Sequence, residues 1–131
     1  MPLLLDIVTP ERRVISVECD EVQAHGVLGG FGIRPGHTPF MSALDAGRLA
    51  YSTQGKWHEY AVGGGFLQVV DNRVTVLADT AEAKNEIDVP RAERTLREAE
   101  ERLRTLTVQD GNYKLEAARL RRSTARLNVA R

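Results

Sequence analysis

Apolar positions change their period partway along the chain. Up to about residue 80, Val, Ile, Leu and aromatic side chains come in brief runs separated by Gly, Pro, Asn and Asp at intervals of about ten. That pattern belongs to short strands joined by turns. The runs predict strands over residues 3–8, 14–17, 21–25, 48–52, 57–62, 66–70 and 73–77. Asp71-Asn72 and Thr53-Gln54-Gly55-Lys56 carry the residue types that tolerate positive φ, so each predicts a tight hairpin turn. Evenly spaced strands without intervening helix patterns favour an antiparallel β-sandwich or flattened barrel over a parallel βαβ sheet.

Beyond residue 78 the alternation stops, and residues 79–86 read as a polar connector. Ala92, Leu96, Ala99, Leu103 and Leu106 then recur at spacings of four and three, one stripe of an α-helix over about 89–106. Asp88 is the candidate N-cap, and Pro90 falls in the first turn, where its missing N–H is not needed. Residues 107–112 interrupt with turn chemistry. Tyr113, Ala117, Leu120, Thr124 and Leu127 repeat the spacing and predict a second helix over 113–130. The expected fold class is α+β: a sandwich over 1–84 followed by an antiparallel helical hairpin over 85–131. Alanine and threonine at the seam bury little apolar area, so the hairpin's internal contact is expected to be weak and separable.

Charge sharpens this division. The 131 residues balance 18 Lys and Arg against 18 Asp and Glu, which gives no global reason to expect a nucleic-acid partner. From residue 87 onward, however, eleven basic residues face seven acidic ones, and 1–86 carries the opposite imbalance. Within 113–131, Lys114, Arg119, Arg121, Arg122, Arg126 and Arg131 stand against Glu116 alone. A helix so cationic is a candidate for docking on an acidic protein surface or a phosphate. On the first helix, Glu93–Arg97 and Glu98–Arg102 have favourable i,i+4 spacing and read as a solvated face.

Candidate chemistry is sparse. Cys19 is the single cysteine, which leaves no intrachain disulfide and no thiolate metal site. His25, His37 and His58 have neither metal-ligand spacing nor a nucleophile pattern. The glycines of 29–32 and 63–65 sit among strands and lack the Lys-Ser/Thr helix start of a phosphate loop, so they predict turns, bulges or close backbone approach. Arg34-Pro35-Gly36-His37-Thr38-Pro39 is a rigid turn that serves equally as a recognition surface or as structure. The opening apolar run stops at Asp6 without a basic flank, so neither a signal peptide nor a membrane anchor is expected.

Several of these motifs together resemble the epsilon subunit of bacterial F-type ATP synthases, homologous to mitochondrial delta and chloroplast epsilon. They are Val8-Thr9-Pro10, Gly32-Ile33-Arg34-Pro35-Gly36-His37-Thr38-Pro39, Gly63-Gly64-Gly65-Phe66-Leu67-Gln68-Val69 and Val74-Thr75-Val76-Leu77-Ala78-Asp79, in family order. The resemblance implies a non-catalytic rotor subunit, peripheral on the cytoplasmic face of the inner membrane and without direct insertion. Its partners would be the gamma subunit, the c-ring and the alpha/beta catalytic hexamer. Gly30, Pro35, Gly36 and His37 would form the rotor contact, although the family often has an acid where Gly30 stands. Arg119, Arg121, Arg122 and Arg126 would dock on the hexamer and oppose hydrolysis. Ile87-Asp88-Val89-Pro90-Arg91-Ala92 is similar to a pattern that binds ATP in some members, with Pro90 an unusual occupant. That implies a regulatory ATP site from Glu82, Ile87, Asp88, Arg91, Ala92, Arg122 and Arg126, and no required cofactor. The structural alternative is that Asp88 caps the helix and the arginines pair with acids or water. A free-standing ATP-sensing module is the second functional expectation; an enzyme, lacking any acid–base or nucleophile constellation, is the third.

Overall fold

The structure, a computed structural model, describes residues 1–131. Eight strands come first: β1 Leu3–Val8, β2 Arg13–Cys19, β3 Glu21–Gly26, β4 Gly29–Ile33, β5 Phe40–Thr53, β6 Lys56–Val70, β7 Arg73–Ala78 and β8 Ala81–Ala83. A single 3-10 turn at Lys84–Glu86 leads to α1, Val89–Thr105, and α2, Tyr113–Ala130.

One hydrogen-bonded path, β2-β1-β7-β6-β5-β3-β4, with β8 added to β6, folds over on itself. The long β5–β6 hairpin makes both layers. Residues 40–44 of β5 pair with the end of β6, which continues into β7, whereas residues 46–53 pair with the start of β6 and with β3. The fold-over falls where the register skips Asp45 and Gly64. Glycine is required there: Gly64 and Gly65 have φ of 109° and 135°, and a Cβ on Gly65 would stand 2.0 Å from the Leu77 carbonyl oxygen. Between the layers lies a core of 18 residues, among them Leu5, Ile7 and Val76 from one sheet and Val22, Leu49 and Val62 from the other. Alternation delivers them, as in β1, where Leu3, Leu5 and Ile7 are fully buried and their neighbours are not.

The expected hairpins form at the expected turns, with Gln54, Gly55, Asp71 and Asn72 all at positive φ. Three differences have physical causes. The runs 57–62 and 66–70 are one strand, because the glycines between them bend it without ending it. Strand β4 was not expected, since Gly29, Gly30 and Gly32 leave little apolar pattern. Residues 79–86 are more than a connector, because β8 adds Ala81, Glu82 and Ala83 to the free edge of β6.

No helical residue belongs to the sandwich core. Helix α2 packs against β5 and β6, and α1 packs against α2. Being a middle layer, α2 buries two sides: Ser123, Ala125, Leu127 and Val129 are inside, whereas Thr124, expected on the seam, is exposed and turns its hydroxyl to the Leu120 carbonyl at 2.8 Å. Helix α1 buries only Ala92 and Ala99 fully.

The thin seam is nevertheless reinforced. Glu116 is only 5% exposed, and its carboxylate accepts from Arg102 Nη1 of α1 and Arg119 Nη1 of α2, each at 3.2 Å. Arg119 also reaches Glu98 of α1 at 3.6 Å. The expected i,i+4 pairs within α1 do not form; Glu98 and Arg102 are spent across the seam instead. The hairpin therefore carries a four-charge clasp across its seam in addition to the alanines, an arrangement the spacing of apolar residues did not indicate.

Candidate functional site: a cationic cleft under the helices

A cleft of about 700 Å³ opens where the hairpin meets the sandwich. Its walls come from the β1–β2 turn (Arg12), β6 (Gly63), the β7–β8 link (Asp79, Thr80), the start of α1 and the face of α2. Six of the seven residues expected at a nucleotide site line it: Glu82, Asp88, Arg91, Ala92, Arg122 and Arg126. Ile87 does not; it is half-buried in the link before α1.

Local structure explains this convergence. Asp88 begins α1 by accepting the Arg91 backbone N–H on Oδ1 at 3.1 Å, so Arg91 and Ala92 enter the first turn beside the cleft. On α2, Arg119, Arg122 and Arg126 are spaced three and four apart and share one face. Glu82 enters from β8, the strand whose existence the sequence pattern did not reveal.

The charges are unevenly committed. Arg126 Nε donates to Glu82 Oε1 at 2.5 Å, joining α2 to the sandwich. Arg12 pairs with Glu86 at 3.2 Å, and Arg119 serves the clasp described above. The Arg91 and Arg122 guanidiniums have no carboxylate within ion-pairing distance. Two forked donors with no acid paired to them can take a phosphate group, in a cleft that also carries the Glu11, Asp79, Glu82 and Asp88 carboxylates. The structural alternative also holds in part, because Asp88 does cap α1 and Arg126 is paired.

All four arginines expected to dock on a partner are turned inward or engaged. Arg126 and Arg121 are paired to the sandwich, the latter to Asp45 at 3.6 Å; Arg122 lies in the cleft and Arg119 in the clasp. Arg119 and Arg126 keep about a quarter of their side-chain area exposed, at 25% and 27%.

The expected rotor-contact residues, Gly30, Pro35, Gly36 and His37, line one groove of about 770 Å³ along β3 and β4. Gly36, at φ 85°, donates its N–H to Asn72 Oδ1 at 2.7 Å, and the His37 ring sits edge-on to Phe40 at 5.5 Å. Asn72 thus ties the Pro-Gly turn to the β6–β7 hairpin. The sequence marked it only as a turn residue, and a partner 36 positions away leaves no local signal.

A second surface was missed altogether. Phe66 and Leu77 are directly paired across β6 and β7, with Met41 nearby on β5, and they are 57%, 55% and 67% exposed. Each occupies an unremarked outward position of its strand, so only the register reveals a contiguous apolar patch. Elsewhere, burial pushes the Cys19 thiol up to about 11 and Tyr60 up to about 12, Tyr60 with help from the nearby Tyr51.

Comparison with known proteins follows the same two-part division. The family model described as "ATP synthase, Delta/Epsilon chain, beta-sandwich domain" matches residues 2–84, and "ATP synthase, Delta/Epsilon chain, long alpha-helix domain" matches 85–131. The ATP synthase epsilon chain of Anaeromyxobacter sp. (strain K) is 62% identical over 130 residues, 99% of this chain and 98% of that one. That of Myxococcus xanthus (strain DK1622) is 44% identical over 128 residues, covering 98% and 94%. A chain in the cryo-EM structure of the Euglena gracilis mitochondrial ATP synthase shares the fold at a TM-score of 0.82 and 21% identity, covering 98% of this chain and 81% of that one.

Proposed function

Since the chain belongs to the delta/epsilon family of ATP synthase subunits, we propose that it is a non-catalytic central-stalk subunit whose helical hairpin is a reversible, nucleotide-sensitive brake. In this reading the sandwich grips the rotor. The apolar patch of Met41, Phe66 and Leu77 meets the gamma subunit, and the groove of Gly30, Pro35, Gly36 and His37 meets the c-ring. Patches of this kind, flanked by polar positions, are what a stable protein interface uses. The assembly lies at the cytoplasmic face of the bacterial inner membrane; no helix of this chain is long and apolar enough to cross it.

The observation that carries the braking part is the masked state of α2: Arg119 and Arg126 are paired within this chain, Arg122 is unpaired but turned into the cleft, and Arg121, half exposed, is paired to Asp45. Undocking exposes them to the alpha/beta hexamer, where opposite charge favours engagement. ATP in the cleft would bridge Arg91 of α1 and Arg122 of α2 and add its binding energy to the masked state alone. At a hundred times its dissociation constant a ligand contributes about 2.7 kcal/mol in this way. The clasp of Glu116 supports a hairpin that moves under control rather than one that frays.

Binding of the full chain to its cognate gamma subunit, with and without ATP, tests the gamma contact and the nucleotide site. Wild-type chain should co-purify with gamma, a Phe66→Asp/Leu77→Asp chain should not, and ATP titration should give one site weakened at least tenfold by Arg122→Ala. Retained gamma binding in the double variant removes the surface assignment; silence in the titration removes the nucleotide. A free-standing ATP-sensing module is the alternative, and it gains if ATP binds while gamma does not.

A further inference from the structure

Gly63 differs from the two glycines that follow it. Gly64 and Gly65 have positive φ, but Gly63 does not, so its backbone suits any residue and its need for glycine is one of space. A Cβ there would stand 2.1 Å from Thr80 Oγ1 and 3.0 Å from Arg122 Cδ. The first contact is internal to the sandwich. The second is with α2: the aliphatic stem of Arg122 lies across the bare Cα of β6, inside normal carbon–carbon separation for any side chain that replaced the hydrogen.

We propose that Gly63 is a positioning residue, the seat on which α2 rests, and that its missing side chain sets both the height of α2 over β6 and the reach of the Arg122 guanidinium into the cleft. Around this seat the geometry is consistent. Gly63, Thr80 and Arg122 line the same cleft, and the Arg121–Asp45 and Arg126–Glu82 pairs hold α2 on either side of it. A methyl group at 63 pushes the Arg122 stem outward by a few tenths of an ångström to restore ordinary contact. A branched side chain must push further. Because both flanking ion pairs span the same gap, lifting α2 lengthens them together.

The experiment uses the full chain in a Thr80→Ala background, which removes the 2.1 Å contact with Oγ1 and leaves the 3.0 Å contact with Arg122 Cδ beside an ordinary 3.4 Å one with the Cβ of residue 80. Gly63→Ala and Gly63→Val are added in turn, and hydrogen exchange of the α2 amides is compared with that of residues 73–75, at the end of β7 far from the seat. The α2 amides should exchange several-fold faster with alanine and faster again with valine, while residues 73–75 are unchanged. Adding Arg122→Ala to the valine chain should return α2 to the rate of the Thr80→Ala/Arg122→Ala chain. Rates in α2 that ignore the residue at 63, or that stay fast after Arg122 is shortened, would overturn the proposal. The second readout, ATP affinity, rests on the nucleotide reading of the cleft and should fall about five-fold or more with valine. If the wild-type chain binds no ATP, that reading fails by itself, and the exchange rates still decide the role of Gly63.

Discussion

Replacing Glu116 by Gln is the most direct probe of how the hairpin is held. The carboxylate is nearly inaccessible and accepts three contacts of 3.2 Å from Arg102 and Arg119. Hydrogen bonds to a buried charged group are worth about 1.5–3 kcal/mol each, but that range needs discounting here. Arg102 keeps 53% of its side-chain area exposed and can rehydrate, and Arg119 retains Glu98. Gln also leaves one carbonyl acceptor in place. The net loss is then about 1.5–2 kcal/mol, which raises the open population of the seam roughly ten- to thirty-fold. Native-state hydrogen exchange reads this at the α1 amides, with the β5–β6 amides as internal reference. The control is Glu98→Gln, whose side chain is 54% exposed and whose single pair at 3.6 Å should be worth less than about 0.5 kcal/mol. If Glu116→Gln loosens α1 no more than Glu98→Gln does, the buried carboxylate adds nothing beyond an exposed pair and the argument from its burial fails.

Two further outcomes follow from the sandwich. Gly65→Ala should destabilise it by about 3 kcal/mol or more, combining an unfavourable positive φ with a Cβ 2.0 Å from the Leu77 carbonyl oxygen; a denaturation midpoint within error of wild type would refute the fold-over argument. For Tyr60, the folded-state pKa is raised from 10.0 to about 12, chiefly by burial, so the folded chain holds the phenol proton more tightly than the unfolded one. This stabilisation is complete below pH 10 and is lost as pH rises from 10 toward 12, an effect of roughly 2–3 kcal/mol. The difference between wild-type and Tyr60→Phe stability should therefore shrink or reverse across that window in urea titrations, and a difference independent of pH would contradict the assignment.

The amino-acid sequence by itself determined the change from strands to helices, the positions of two hairpin turns and the extent of both helices. Each depends on neighbours within a few residues: Asp71 and Asn72 tolerate positive φ, Asp88 caps its own helix, and Leu96 and Leu103 keep helical spacing. It also indicated, through motif resemblance, six of the residues that line the cleft. Tertiary structure decided what those residues are doing. Whether Arg122 is free and Arg126 is paired depends on Glu82, 44 positions from Arg126 and carried by a strand with no pattern of its own. The inward burial of Glu116 inverts what its charge predicts, because α2 is a middle layer and a solitary acid facing two arginines loses less there than it would unpaired. Gly63 follows the same rule. Its neighbours in sequence make it one of three turn-like glycines, and only the approach of α2 from the far end of the chain gives it a separate reason to lack a side chain.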